Sequence, residues 1–191
     1  MIKNISSGWQ HNILLNNNGE IFTFGYNQEY QCGIRNIEKN LNSSNSENVN
    51  DPTNISILNN NLRAIKVSCG NEHSLIISQD NNVYGFGNNE NGLLGIPDKK
   101  IKIYKPTKIN FEIFNGKDIT EEYNGKIVSV SCGTLHSLAL TDDGKIFSWG
   151  SYHGGQLGFS SDFLTSQNKG KNNEQDLFLE TPTLIPYFSK N

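Results

Sequence analysis

The sequence predicts an all-β fold, and three observations lead to that prediction. Ala occurs only twice and Met once among 191 residues, whereas Asn occurs 29 times and Gly 18 times, so helices have little support. Ile, Val and a 10% share of aromatic residues favour strands. The third observation is an internal repeat, because a block of 30 residues recurs three times without a gap.

The repeated block forms the core of each unit and spans residues 5–34, 67–96 and 130–159. Nine glycines recur in three columns, and we predict that they have structural roles at close backbone approaches. They are Gly8, Gly70 and Gly133; Gly25, Gly87 and Gly150; and Gly33, Gly95 and Gly158. A histidine column (His11, His73, His136) and an aromatic column (Phe24, Phe86, Trp149) accompany them. Matches in several columns indicate three copies of one structural unit.

Each core contains a predicted β-hairpin. In the third copy, residues 136–141 alternate in polarity, Asp142-Asp143-Gly144 has the composition of a tight turn, and residues 145–149 return. The first copy has Asn18-Gly19 at the turn and the second has Asn81-Asn82, and both Gly and Asn tolerate a positive φ. The same turn is therefore predicted in all three copies.

Two further strands are predicted in each unit. One precedes the core and ends near Ile5, Val67 or Val130. The other is predicted to begin at a Pro-Thr pair, since Pro marks a strand start or an edge. The pairs are Pro52-Thr53, Pro106-Thr107 and Pro182-Thr183. About four short strands in a unit of roughly 40–50 residues, lengthened by an insertion, are typical of β-propeller blades.

Three insertions separate or follow the cores within a single repeat domain that spans residues 1–191. They cover about 35–50, 110–126 and 160–180. The first and third are polar and Asn-rich, so we predict loops there. In the second, Phe111, Ile113 and Phe114 are predicted to pack against a blade.

The motif of the third core, CGTLHSLALTDDGKIFSWG followed by QLG, resembles the regulator of chromosome condensation repeat. Ser131 to Gly158 follows that pattern almost throughout, and Ser68 to Gly95 follows it well. Ser6 to Gly33 matches more loosely, with Ser7 in the place of the Cys. The resemblance implies four-stranded blades of a seven-bladed β-propeller. Three units then form a partial arc, and the remaining blades come from the same protein or from other chains.

The resemblance also implies a function. In the best-known member of the family, the loop around the Gly-x-x-His motif contacts a small GTPase and drives nucleotide exchange. The matching positions give a predicted partner-binding face of Trp9, Gln10, His11, Asn71, Glu72, His73, Thr134, Leu135 and His136. The implied function is a protein-interaction module, in its sharper version part of a guanine-nucleotide exchange factor for a Ran-like GTPase. The alternative is a binding or scaffold domain of a larger signalling or ubiquitin-ligase protein.

The sequence gives less support to a metal site or a catalytic site. Cys69, His73, Cys132 and His136 are zinc-ligand types, but equivalent positions of a repeat lie at separate places around a ring, so we predict no metal. His73 and Ser74 are adjacent in a strand and point to opposite faces, which makes a poor catalytic pair. A structural reading of the His column is a cap on a tight turn that bonds to blade backbone. We predict no enzyme and no cofactor, with a hydrolase on a β scaffold as the enzyme alternative.

Charge and composition restrict the partner and the compartment. A net charge of −3 gives no general reason to bind nucleic acid or chromatin. No run of apolar residues reaches the length of a transmembrane helix, and the N-terminus lacks the apolar core of a signal peptide. Three cysteines without an export signal suggest free thiols. We therefore expect an intracellular protein, cytoplasmic or nuclear, with a protein partner and no membrane contact.

Overall fold

The computed structural model describes residues 1–35, 48–98, 100–114, 120–168 and 176–188. Within these ranges the strands form three four-stranded antiparallel sheets and one two-stranded hairpin. In each large sheet the strands lie side by side in the order of the chain. The sheets coincide with the three predicted units and are called blades 1, 2 and 3. The prediction of three four-stranded units is therefore confirmed.

Each blade contributes four consecutive strands to the chain. Blade 1 contains β1 (Ile2–Ser7), β2 (His11–Asn16), β3 (Ile21–Gly25) and β4 (Val49–Asn54), and is followed by helix α1 (Ile55–Leu58). Blade 2 contains β5 (Ala64–Cys69), β6 (His73–Ser78), β7 (Val83–Asn88) and β8 (Lys102–Ile109), with a 3-10 turn at Glu90–Gly92. The hairpin consists of β9 (Glu112–Phe114) and β10 (Thr120–Glu122). Blade 3 contains β11 (Ile127–Cys132), β12 (His136–Thr141), β13 (Ile146–Ser151) and β14 (Phe178–Leu184), with helix α2 (Ser161–Gln167) before β14 and a 3-10 turn at Pro186–Phe188. Neither helix of the described ranges is long and apolar enough to cross a membrane.

The turn between the second and third strands of each blade is organised by the residue that precedes it. In blade 3 the Thr141 hydroxyl accepts a hydrogen bond from the Lys145 amide at 2.8 Å. Asn16 does the same in blade 1 through its side-chain oxygen, which accepts from the Glu20 amide at 2.9 Å. The turn itself contains a residue with positive φ, which is Gly144 in blade 3 and Asn81 in blade 2. Side chains that bond to nearby backbone favour such turns.

The fourth strand of each blade starts earlier than predicted. It begins three or four residues before the Pro-Thr pair, at Val49, Lys102 or Phe178, so the prediction that it begins at the Pro was wrong. Each of these strands is the outermost of its sheet and pairs on one side only. The pairing register shifts next to the Pro-Thr pair in all three. Pro is tolerated inside an edge strand at such an irregularity because no ladder bond is lost there.

Apolar side chains fill the two interfaces between neighbouring blades. Ile13, Leu15 and Ile21 of blade 1 pack with Ile76 and Phe86 of blade 2. At the next interface, the equivalent residues Leu75, Ile77 and Val83 of blade 2 pack with Phe147 and Trp149 of blade 3. The two interfaces thus use the same columns of the repeat. Burial of this kind is the main favourable contribution to folding.

The aromatic column of Phe24, Phe86 and Trp149 shows how the presence of a preceding blade changes the burial of one position. Phe86 and Trp149 are fully buried, and each has a preceding blade against it. Phe24, at the same place in blade 1, is half-buried, because no sheet within the described ranges lies against it. The three blades form an open arc of a β-propeller.

The predictions for the insertions compare with the structure in different ways. Residues 36–47 of the first insertion lie outside the described residues. In the second, Phe111 is buried and meets the rings of Phe147 and Trp149 edge-on, with centroids 5.2 and 5.7 Å apart. Ile113 also packs against this cluster, whereas the predicted packing of Phe114 lies outside the described side chains.

The prediction of a loop over 160–180 was wrong at both ends of that range. Ser160 caps helix α2 by accepting a hydrogen bond from the Phe163 amide, and β14 already begins at Phe178. Leu164 on the helix is fully buried, and Leu177 and Leu179 also enter the core. These few apolar residues among polar ones are enough to hold the ends of the segment on blade 3.

The two glycines Gly87 and Gly144 allow a test of the repeat geometry. Gly87 has φ +111, and a Cβ there would lie 2.5 Å from the Glu72 carbonyl oxygen. Gly144 has φ +82 with no atom within 4 Å of such a Cβ. We expect Gly87→Ala to lower the free energy of unfolding by about 3 kcal/mol or more, through strain and overlap together. Gly144→Ala should cost about 1 kcal/mol. Urea unfolding measures both, and equal losses would contradict the close approach at Gly87.

Candidate functional site

In each blade a loop joins the first and second strands. These three loops lie side by side, at the same end of all three blades. Their tips are Trp9–Gln10, Asn71–Glu72 and Thr134–Leu135, which together are called the loop face. The backbones of neighbouring loops approach closely. The Trp9 amide donates to the Asn71 carbonyl at 3.4 Å, and a Cβ on Gly70 would lie 2.6 Å from the Gly133 carbonyl oxygen.

Each loop is fixed by backbone hydrogen bonds at both ends. The glycine amide at its start donates to the carbonyl of the following histidine, at 2.8 Å in the loop of Gly70 and His73. The carbonyl of the second tip residue accepts from the end of the third strand. These bonds are Tyr26 N–H to Gln10 at 2.7 Å, Asn88 N–H to Glu72 at 2.9 Å and Ser151 N–H to Leu135 at 2.8 Å. The loop backbone is therefore set by the blade, and the tip side chains are the part that can vary.

The loop face presents apolar groups at its two ends and polar groups between them. Trp9 is 66% exposed and Leu135 is 41% exposed. Gln10 and Thr134 are also exposed, and Asn71 and Glu72 are half-buried. The Glu72 carboxylate accepts a hydrogen bond from the Asn88 side chain at 3.1 Å. Exposed aromatic residues on a rigid frame are typical of protein-binding surfaces.

The recurrent histidines lie beneath this face and connect blades. The His11 ring nitrogen Nε2 lies 2.9 Å from the Ser74 hydroxyl of the next blade. The His73 Nε2 lies 3.0 Å from the Ser137 hydroxyl in the same way. The ring thus bonds to a side chain of the neighbouring blade, whereas the sequence suggested a bond to backbone. This contact is called the His–Ser staple.

The proton positions in the staple follow from the other bond of each serine. The Ser74 hydroxyl donates to the Gln31 carbonyl at 2.8 Å, and the Ser137 hydroxyl donates to the Leu93 carbonyl at 3.0 Å. A hydroxyl has one hydrogen to donate. Each histidine therefore carries its proton on Nε2 and donates it to the serine. The other nitrogen, Nδ1, is buried without a hydrogen-bond partner in His11 and His73.

The two His–Ser pairs do not have the geometry of a catalytic pair. A serine nucleophile needs an unprotonated imidazole nitrogen beside its hydroxyl and a group that orients the ring. In the staple the nitrogen beside the hydroxyl is protonated, and no group bonds to Nδ1 of His11 or His73. Burial lowers the pKa of His11 to about 4 and that of His73 to about 3. The neutral rings are structural donors.

His136 occupies the same position in blade 3 but has no blade beyond it within the described ranges. Its ring is half-buried and makes no hydrogen bond to any described residue. Burial lowers its pKa as well. Of the nine residues predicted for the face, His11 and His73 thus lie at the interfaces between blades, His136 holds the equivalent position on blade 3, and the six tip residues make up the loop face.

The cysteines form a second contact between blades. The Cys69 amide donates to the Ser6 hydroxyl at 2.9 Å, and the Cys132 amide donates to the Ser68 hydroxyl at 3.0 Å. Burial raises the pKa of both thiols to about 12, so they stay protonated. In the part of the chain that the structure describes, no three His, Cys, Asp or Glu side chains form a group that could hold a metal ion.

The fold and the loop face together define a β-propeller arc whose blades are joined by repeated polar contacts and whose loops form one exposed surface. The family model for the regulator of chromosome condensation (RCC1) repeat matches residues 18–77 and 80–140. A second model of the same repeat matches 2–31, 64–93 and 127–156, one segment for each blade. The chain belongs to the RCC1 repeat family.

Three known proteins show the extent of the similarity. A bifunctional serine/threonine-protein kinase/NEDD4-like E3 ubiquitin-protein ligase of Dictyostelium discoideum is 32% identical over 174 residues, which are 84% of this chain and 8% of that protein. Protein pim1 of Schizosaccharomyces pombe is 29% identical over 187 residues, 96% of this chain and 31% of pim1. The crystal structure of Prp20p from Saccharomyces cerevisiae matches with a TM-score of 0.69 and 26% identity, over 99% of this chain and 39% of Prp20p. The chain thus spans well under half the length of these relatives.

The His–Ser staple can be tested by removing one hydroxyl. Ser137→Ala leaves the buried Nε2–H of His73 without an acceptor, so we expect the free energy of unfolding to fall by about 1–3 kcal/mol. The matched control is Asn12→Ala, at the equivalent position of blade 1, where the side chain accepts a hydrogen bond from Ser7 of the same blade. That change should cost less than about 1 kcal/mol. Urea unfolding of both variants measures the difference, and equal losses would contradict a stabilising staple.

The lowered pKa values of His11 and His73 predict a loss of stability in acid. Their folded values of about 4 and 3 lie below the ordinary value of 6.5, so the unfolded chain binds more protons between these values. Stability is therefore complete above pH 6.5 and falls as the pH decreases toward 4, by up to about 2.7 kcal/mol per pH unit for two groups. Urea unfolding between pH 7.5 and 4.5 measures the slope. His11→Gln should flatten it, and a slope that does not change in this variant would contradict the prediction.

Proposed function

We propose that this chain is a protein-interaction module that binds its partner through the loop face. The observation that carries the proposal is Trp9, a large aromatic side chain that is 66% exposed on a loop whose backbone is fixed at both ends. A rigid loop loses little conformational freedom when it binds. Buried aromatic anchors supply most of the binding energy at protein interfaces. The module needs no cofactor and forms no covalent intermediate.

A Ran-like small GTPase is the partner that the comparisons favour. Prp20p of Saccharomyces cerevisiae binds Gsp1p and histones, and the resemblance of the repeat to the best-known member of its family implies a small GTPase of the Ran type. Nucleotide exchange would then follow from tighter binding to the nucleotide-free GTPase than to the loaded one, since a ligand shifts an equilibrium only by its difference in affinity. The chain covers 39% of Prp20p, so exchange activity requires that these three loops contribute part of a larger contact.

A binding or scaffold domain of a larger protein is the second candidate. The Dictyostelium relative that combines a kinase with a ubiquitin ligase supports it, because the matched segment is only 8% of that protein. In that case the loop face selects a different protein partner, and the nucleotide state of a GTPase has no influence. Three free thiols fit a reducing compartment, cytoplasmic or nuclear, for either candidate.

Binding to a Ran-like GTPase can be measured by biolayer interferometry in three states: nucleotide-free, GDP-bound and GTP-bound. We expect the nucleotide-free form to bind at least tenfold more tightly than either loaded form. Equal binding in all three states would reject exchange but would still fit a scaffold. Complete absence of binding would reject the GTPase as the partner.

Trp9 can be tested in the same assay. Trp9→Ala removes the exposed aromatic group, and we expect the dissociation constant to rise at least tenfold, as for an interface anchor. The matched control is Ile57→Ala on helix α1, because Ile57 is 65% exposed. Helix α1 follows Asn54, which pairs with Phe22 near the β2–β3 turn, so it lies at the end of the blade opposite the loop face. A change at Ile57 that weakens binding as much as Trp9→Ala would contradict the assignment of the loop face.

A further inference from the structure

The sequence contains four Asn-Gly pairs, which are Asn18-Gly19, Asn91-Gly92, Asn115-Gly116 and Asn124-Gly125. An asparagine followed by glycine is prone to lose its side-chain amide without an enzyme. Glycine places no side chain beside the attacking backbone nitrogen and lets the chain bend into the ring that forms. Asn115-Gly116 lies outside the described residues, and the other three pairs can be compared in the structure.

The reaction depends on the backbone amide of the glycine. This nitrogen loses its proton to the solvent and attacks Cγ of the asparagine, so a new N–Cγ bond closes a succinimide ring. The Cγ–Nδ2 bond breaks, and the side-chain nitrogen takes up a proton and leaves as ammonia. Water then opens the ring at one of its two carbonyl groups, which gives aspartate or isoaspartate. An amide that donates a hydrogen bond inside the fold is protected from the first step, as it is from hydrogen exchange.

Two of the pairs have protected glycine amides. The Gly19 amide donates to the Asn16 carbonyl at 3.1 Å, and the Gly92 amide donates to the Asn89 carbonyl at 3.2 Å. Both glycines are buried. A Cβ on Gly92 would lie 2.5 Å from Cα of Glu180, so β14 packs directly against this turn. Both nitrogens are therefore held away from attack while the chain is folded.

The Asn124-Gly125 pair differs in each of these respects. It lies between β10 and β11, and both residues are exposed. The Gly125 amide makes no hydrogen bond to any described residue. The Asn124 side chain makes one, in which Nδ2 donates to the Glu122 carbonyl at 3.2 Å on the surface. That bond is long and open to water, so breaking it costs little.

We propose that Asn124 is a site of spontaneous deamidation in the folded protein, and that the fold protects Asn18 and Asn91. The reaction gives the chain one additional negative charge. The new carboxylate lies at a cleft of about 220 Å³ that is lined by charged groups of both signs, among them Asp80, Lys108, Glu122 and Lys126.

The test follows the folded full chain over days at pH 7.5 by tryptic digestion and tandem mass spectrometry. Trypsin cuts after Lys and Arg, so the four pairs fall into separate peptides, which are residues 4–35, 67–99, 109–117 and 118–126. We expect deamidation at Asn124 to proceed at least tenfold faster than at Asn18 or Asn91. Equal rates at the three sites, or a faster rate at Asn18 or Asn91, would overturn the proposal. Circular dichroism verifies that the chain stays folded during the incubation.

The same measurement in urea that unfolds the chain separates the effect of the fold from that of the local sequence. Unfolding breaks the hydrogen bonds of the Gly19 and Gly92 amides, so deamidation at Asn18 and Asn91 should accelerate and approach the rate at Asn124. The rate at Asn124 should change little, because its glycine amide is already free in the folded chain. A tenfold advantage of Asn124 that persists in urea would show that local sequence sets the rates, and would contradict protection by the fold.

Discussion

Contact between neighbouring blades is the constraint on which the structure depends. A four-stranded sheet of this kind has apolar residues on both faces, so one blade alone cannot bury them. Ile13 and Leu15 are buried because blade 2 lies against them, and Leu75 and Ile77 because blade 3 does. Apolar contact supplies most of the free energy of packing between blades, but it does not fix the position of one blade along the other. The His–Ser staple fixes the register between blades, since a buried donor that misses its acceptor is costly.

The Gly-x-x-His motif takes part both in the contact between blades and in the loop face. A Cβ on Gly8 would lie 2.3 Å from Cε1 of His11, so the ring that reaches the next blade occupies the space beside the glycine. The same glycine amide closes the loop by bonding to the histidine carbonyl at 2.9 Å. One short segment therefore sets both the position of the staple and the path of the loop. The two residues between Gly and His form the tip of the loop.

The sequence was sufficient for the elements that recur locally. The three units, their hairpins and the turn residues Gly144 and Asn81 follow from alternation and spacing inside one blade. The His–Ser staple was missed because adjacent His73 and Ser74 were considered as a pair within one strand, where they do face apart. Their partners, Ser137 and His11, lie one repeat away, and only the arrangement of sheets brings them together. One signal in the sequence was available for this contact. The first repeat has Asn12 where the other two have Ser, and Ser7 where they have Cys. Helix α2 was missed because Phe163 and Leu164 are the two apolar residues of an otherwise polar segment.

The residues that hold the blades together are separate from the residues at the loop tips. This separation explains how the same repeat can occur in proteins of different function. The glycines, the histidines and the apolar columns are bound by packing on two sides, so their replacement affects the fold before it affects a partner. The tip side chains contribute little to the interfaces, and their backbone is already held by the blade. Such a surface can change its partner at small cost in stability. This division fits relatives as different as pim1 and a kinase that carries a ubiquitin ligase, which share the repeat at 29% and 32% identity with this chain. If the loop face binds the partner as proposed, the specificity of this chain depends on Trp9, Leu135 and the polar residues between them.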